Sequence, residues 1–114
     1  MEKLLRIQRK NIARVKTNHM IENLIGVWKS DPDDIITQEY YGNITMEFCA
    51  DGRLIYTILE NNRTQSAILD YSVRGDILIT DQPSHPEKAE TKFTIKDQVL
   101  ELEYDEIKSR YLKV

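Results

Sequence analysis

At 114 residues the chain has room for one domain core and no second. Hydrophobic residues make up 40% and charged residues 31%, which fits a globular chain and excludes a largely disordered one. No apolar run approaches the roughly 20 residues that span a bilayer as a helix. The net charge of −3 is unevenly placed. Residues 1–20 hold six basic groups against one acid, for +5, whereas residues 21–114 hold ten basic and eighteen acidic groups, for −8. An acidic body is expected to repel nucleic acid and attract basic surfaces, and the leader to do the reverse.

Residues 1–20 predict a basic amphipathic helical leader, and residues 21–114 a β-domain. At 100° per residue, Met1, Leu4, Leu5, Ile12 and Val15 fall within an arc of about 100°, opposite Lys3, Arg6, Lys10 and Arg14. The leader is expected to lie across the acidic body. Contact with a membrane surface or nucleic acid, or an extension without fixed structure, are the other readings. Met20 opens "MIENLIGVW" and offers an alternative start of translation. The N-terminus lacks the apolar stretch and small-residue cleavage site of a secretory signal. A single cysteine, Cys49, cannot form an internal disulfide. Together these lead us to expect a reducing, cytoplasmic compartment.

Beyond the leader the hydrophobic period changes from 3.6 to 2. Val27–Ser30 predicts a strand, Asp31-Pro32 a turn, and Ile35–Tyr41 a weaker strand. In the next segment Ile44, Met46 and Phe48 alternate with polar residues, as Leu54, Tyr56 and Ile58 do in the one after. Ala50-Asp51-Gly52 suits a three-residue hairpin turn with Gly52 in the left-handed conformation. That register pairs Phe48 with Leu54, Met46 with Tyr56 and Ile44 with Ile58. "NNRT" turns the chain into a strand with Ala67, Leu69, Tyr71 and Val73 on one face, and Arg74-Gly75-Asp76 turns it into "ILIT". "DQPSHPE" reads as a loop. Phe93 and Ile95 then share a face, Lys96-Asp97-Gln98 turns, Leu100, Leu102 and Tyr104 alternate with Glu101 and Glu103, and "IKSRYLKV" follows. The count is eight or nine strands joined by links too short for helical crossovers. We therefore expect a mainly β fold: an antiparallel up-and-down barrel, its last strand meeting its first so that no edge is left bare.

Gly26-Val27-Trp28 resembles the Gly-x-Trp signature of the lipocalins, which together with the fatty-acid-binding proteins form the calycin barrels. "FCADGRLIY" and "YSVRGDIL" look like hairpins of small bacterial lipocalin-like domains. The resemblance covers residues 24–114 loosely. It implies that Trp28 closes one end of the barrel and that an Arg late in the final strand, Arg110 here, packs across the indole. By strand parity, an inward set of Ile107, Ser109 and Tyr111 would instead turn Arg110 outward. This chain is shorter than typical lipocalins, lacks their disulfides, and has no room for the helical lid of the fatty-acid-binding proteins.

An eight-stranded barrel is either just filled by its side chains or holds one small ligand. The inward set is bulky, so a filled interior is expected, with a small cavity as the alternative. The aromatic residues expected to face a ligand are Phe48, Tyr56, Tyr71, Phe93 and Tyr104. Catalysis finds no support: His19 and His85 lie far apart, Cys49 sits in a strand without a nearby base, and no cofactor is expected. Asp31, Asp33 and Asp34 lack a calcium-loop spacing, so no metal site is expected. Asn43-Ile44-Thr45 and Asn62-Arg63-Thr64 match glycosylation sequons, and Arg74-Gly75-Asp76 an integrin-binding tripeptide, but all three read as turn chemistry. The expected function is a non-enzymatic binding module for a small apolar or amphipathic ligand at the barrel mouth. The alternative is a protein-interaction module, such as a bacterial immunity protein neutralising a basic toxin through its acidic surface. A third reading makes the leader the working part.

Overall fold

The computed structural model describes residues 21–83 and 88–114. The predicted leader helix and His85 lie outside the described residues. Eight strands follow one another around a closed antiparallel barrel: β1 (Gly26–Ser30), β2 (Asn43–Phe48), β3 (Arg53–Glu60), β4 (Arg63–Arg74), β5 (Ile77–Asp81), β6 (Lys88–Lys96), β7 (Val99–Tyr104) and β8 (Ile107–Lys113). The seam pairs β1 with β8, setting Trp28 opposite Lys113 and Ser30 opposite Tyr111. Closure gives every strand a neighbour on each side, although residues 63–69 of β4 run past β5 and, among the described residues, pair with β3 alone.

The turns follow from local chemistry. The β2–β3 hairpin has the expected register, Phe48 opposite Leu54 and Ile44 opposite Ile58. Cys49 N–H donates to the Arg53 carbonyl at 2.8 Å across the three-residue turn, where Gly52 takes a φ of 90°. Gly75 holds φ 62° as the first of two turn residues, the type II′ pattern that suits the right-handed twist of the flanking strands. Asn61-Asn62, Asp97-Gln98 and Asp105-Glu106 have both residues at positive φ, the type I′ pattern. The turns at Gly52, Gly75 and Asp97-Gln98 mark one end of the barrel, called the lower end below. Those at Asn61-Asn62 and Asp105-Glu106 mark the upper end.

One expected strand is a helix. Ile35–Tyr40 forms α1 rather than a ninth strand. The β-branched run Ile35-Ile36-Thr37 favours extended backbone, but the Asp34 side chain caps the helix by accepting from the Thr37 N–H at 3.2 Å. Asp31 in turn accepts from the Asp33 N–H at 2.9 Å. At the other end Gly42, with φ 73°, brings its N–H to the Thr37 carbonyl. The acidic run is therefore a turn and a cap.

α1 completes the seam. β1 stops at Ser30, which would leave the next stretch of β8 without a partner on that side. The Asp31 N–H donates to the Arg110 carbonyl at 2.9 Å, and the fully buried Thr37 hydroxyl accepts from the Arg110 N–H at 2.7 Å. The same hydroxyl donates to Asp34. Buried backbone polar groups need such partners, and here a side chain supplies one. The core runs through the barrel from Leu24 at the lower end to Ile44 and Tyr111, with Trp28, Met46, Phe48, Leu54, Leu78, Phe93 and Leu100 between.

Candidate functional site

The lower end is a floor. Residues 21–24 are helical, and the chain enters β1 through Gly26 at φ 130°. Trp28 is 1% exposed, and its indole N–H donates to the Leu24 carbonyl at 2.8 Å. The Lys113 ammonium lies 4.7 Å from the centroid of the Trp28 ring and donates to the Ile25 carbonyl at 2.6 Å. A cation over an indole face is attracted by the ring quadrupole, and these donors satisfy carbonyls at a helix C-terminus. The φ of 130° favours glycine, and a β-carbon at position 26 would also push the Lys113 ammonium from its place.

The cation over the indole is therefore Lys113 and not Arg110. Arg110 is exposed and lies opposite Glu101 in the β7–β8 register. The physical reason is the period of two: Ser109, Tyr111 and Lys113 share the inner face, and Arg110 falls on the other.

The upper half of the barrel is not filled. A cavity of about 210 Å³ lies there, with Met46, Leu54, Leu69, Leu78 and Leu102 as its apolar walls. Four phenols reach it: Tyr41, just after α1; Tyr104, beside the Asp105-Glu106 turn; and Tyr56 and Tyr111 from β3 and β8. Thr80, Thr91 and Ser109 add hydroxyls, and among the described residues none that lines the cavity carries a charge. Burial pushes the Tyr56 phenol well above its ordinary pKa, with Tyr111 and Tyr41 adding to the effect. Tyr41 is raised by burial and then by Tyr104 and Asp105. Tyr111 is raised by burial, against a hydrogen bond with Ser109 that lowers it. Tyr41, Tyr56 and Tyr111 are thus close enough to influence one another, and each holds its proton above the pH at which an unburied tyrosine loses it.

Of the aromatics expected to face a ligand, Tyr56 and Tyr104 line this cavity. Phe48, Tyr71 and Phe93 do not. They pack in the lower core, where the Phe48 and Tyr71 rings meet edge to face, 5.1 Å between centroids at 87°. The Tyr71 hydroxyl donates to the Cys49 carbonyl at 2.7 Å, so its polar end is already partnered. Tyr41 and Tyr111 were missing from the expected set. Tyr111 was within reach of parity, since it shares a face with Ser109. Tyr41 was hidden by reading its segment as a strand.

Outside the barrel, α1 exposes Ile35, Ile36 and Tyr40. Ile36 and Tyr40 border a shallow groove shared with Glu103, Glu106, Ile107 and Lys108. Among the described residues no helix is long and apolar enough to cross a membrane. No protein-family model matches the chain, and no curated protein matches it either. The class defined by fold and site is a small eight-stranded antiparallel β-barrel with a tryptophan-sealed floor and a half-open cavity.

Proposed function

We propose that this chain is a non-enzymatic, lipocalin-like binding module that takes a small apolar or amphipathic ligand into the upper half of its barrel. The observation that carries this reading is the uncharged cavity of about 210 Å³, apolar in its walls and ringed by phenols. Apolar concave sites with a few polar groups placed to orient the guest are the usual form of a small-molecule site. Gly26-Val27-Trp28 and the cation over the indole favour the lipocalin-like description, with lysine in the role that the resemblance gives to arginine. Thermal shift and proton NMR against a panel of aromatic, terpenoid and aliphatic lipophiles test it. A raised melting temperature with displaced Tyr56 and Tyr111 ring resonances supports the reading; no response to any member of the panel overturns it. Trp28 sits at the opposite end, so its emission is a poor reporter.

A second reading has its own support. The apolar face of α1, bordered by Glu103 and Glu106, suits a basic protein partner such as the toxin of an immunity pair, drawn in by an acidic body. Such a complex weakens as salt rises and is lost in Ile36→Asp; a complex indifferent to both removes this reading.

A further inference from the structure

Resting on the reading of the cavity as a ligand site, we infer that its guest is a neutral, single-ring molecule carrying one hydrogen-bond acceptor, such as a carbonyl or ether oxygen, rather than a carboxylate or a long acyl chain.

Size sets the first limit. An apolar cavity of about 150 Å³ takes up benzene, and drug-sized ligands occupy roughly 300–1,000 Å³. At about 210 Å³ this one suits a ring with a short substituent. The floor below, closed by Trp28 at 1% exposure, gives an extended chain no way through the barrel.

Charge sets the second. A buried carboxylate needs a cation or a set of strong donors, and among the described residues no Lys, Arg or His lines the cavity. The Lys113 ammonium is held over Trp28 and by the Ile25 carbonyl at the far end. Beside Tyr104, the β7–β8 turn carries Glu103, Asp105 and Glu106 against Lys108 opposite Glu103, so this side of the rim is net negative and does not attract an anion.

The phenols set the third. At neutral pH a phenol is protonated and so a donor as well as an acceptor, and Tyr41, Tyr56 and Tyr111 place such groups on the cavity. A ligand acceptor oxygen gives such a donor the partner that an alkyl group cannot.

Acetophenone and benzoate form a matched pair, similar in size and differing in charge, with palmitate as the long-chain arm. Titration of the intact protein by calorimetry, followed by NMR of the tyrosine rings, reads all three. We expect acetophenone to bind at least about tenfold more tightly than benzoate, palmitate to leave the Tyr56 and Tyr111 resonances in place, and Tyr56→Phe to weaken acetophenone several-fold at an unchanged melting temperature. Benzoate or palmitate binding as tightly as acetophenone, with the same rings displaced, overturns the inference while leaving the cavity a ligand site. Acetophenone binding unchanged in Tyr56→Phe overturns the role given to the phenol. No binding by any of the three overturns the inference; the broader panel above then decides whether the parent reading falls too.

Discussion

Lys113 holds two partners at once: its ammonium rests 4.7 Å from the centre of the Trp28 ring and donates to the Ile25 carbonyl at 2.6 Å. The last residue of β8 thereby fastens the first strand and the helical turn before it. Lys113→Met keeps the apolar stem and removes both interactions. A loss of about 1–2 kcal/mol in chemical denaturation is expected, together with a red-shifted Trp28 emission as the floor loosens. An unchanged unfolding midpoint would show the contact to be energetically idle.

Gly26→Ala is expected to be costlier, at about 1–3 kcal/mol, because it takes a φ of 130° and displaces the Lys113 ammonium from Trp28 and the Ile25 carbonyl. The steric share can be separated. In the double variant Gly26→Ala, Lys113→Ala the obstruction is gone, so the two losses should sum to more than the measured total. Strict additivity would assign the whole effect to backbone conformation.

The Thr37 hydroxyl joins α1 to β8, donating to Asp34 and accepting from the Arg110 N–H. Thr37→Val keeps the shape and leaves that buried N–H without a partner, at an expected cost of about 1–3 kcal/mol. Thr37→Ser should lose much less. Hydrogen exchange at the Arg110 amide is the direct measurement: it should accelerate in the valine variant and stay near wild type in the serine variant.

Alkaline pH should destabilise the fold. Tyr41, Tyr56, Tyr71 and Tyr111 all have pKa values raised by burial above the ordinary 10.0 of an unfolded tyrosine. The unfolded chain therefore releases these protons first. Stability is fully present below pH 10 and falls as pH rises through the folded values. Tyrosinate absorbance should show an early phase and a late phase that coincides with unfolding, and Tyr56→Phe should shift the unfolding to higher pH. A single phase near the ordinary tyrosine value, with the fold intact, would contradict this.

Strand structure in this chain is readable because one inner face imposes a period of two on every segment. Ile44, Met46 and Phe48 found Ile58, Tyr56 and Leu54 with no information beyond that period and a glycine at the turn. Parity likewise separates Arg110 from Tyr111 and Lys113; it was the family resemblance that drew attention to the arginine. The cavity was harder to foresee. Phe48, Tyr71 and Phe93 do face inward, but whether an inward residue sits on the floor or in the upper half depends on stagger accumulated around the whole barrel, which no single strand encodes. α1 was missed because Ile35, Ile36 and Thr37 look like strand residues when counted singly. A cap at Asp34 and a left-handed Gly42 outweigh three weak preferences, since each satisfies backbone groups that would otherwise be orphaned.

The seam between β1 and β8 also governs how this protein can be made. As the chain folds, β2 to β7 can each zip to its predecessor, but Trp28 has no lid until β8 brings Lys113. Throughout that interval the nascent sheet carries two raw margins and an uncovered indole. A chain that ends before residue 107 would therefore be held at that aggregation-prone stage.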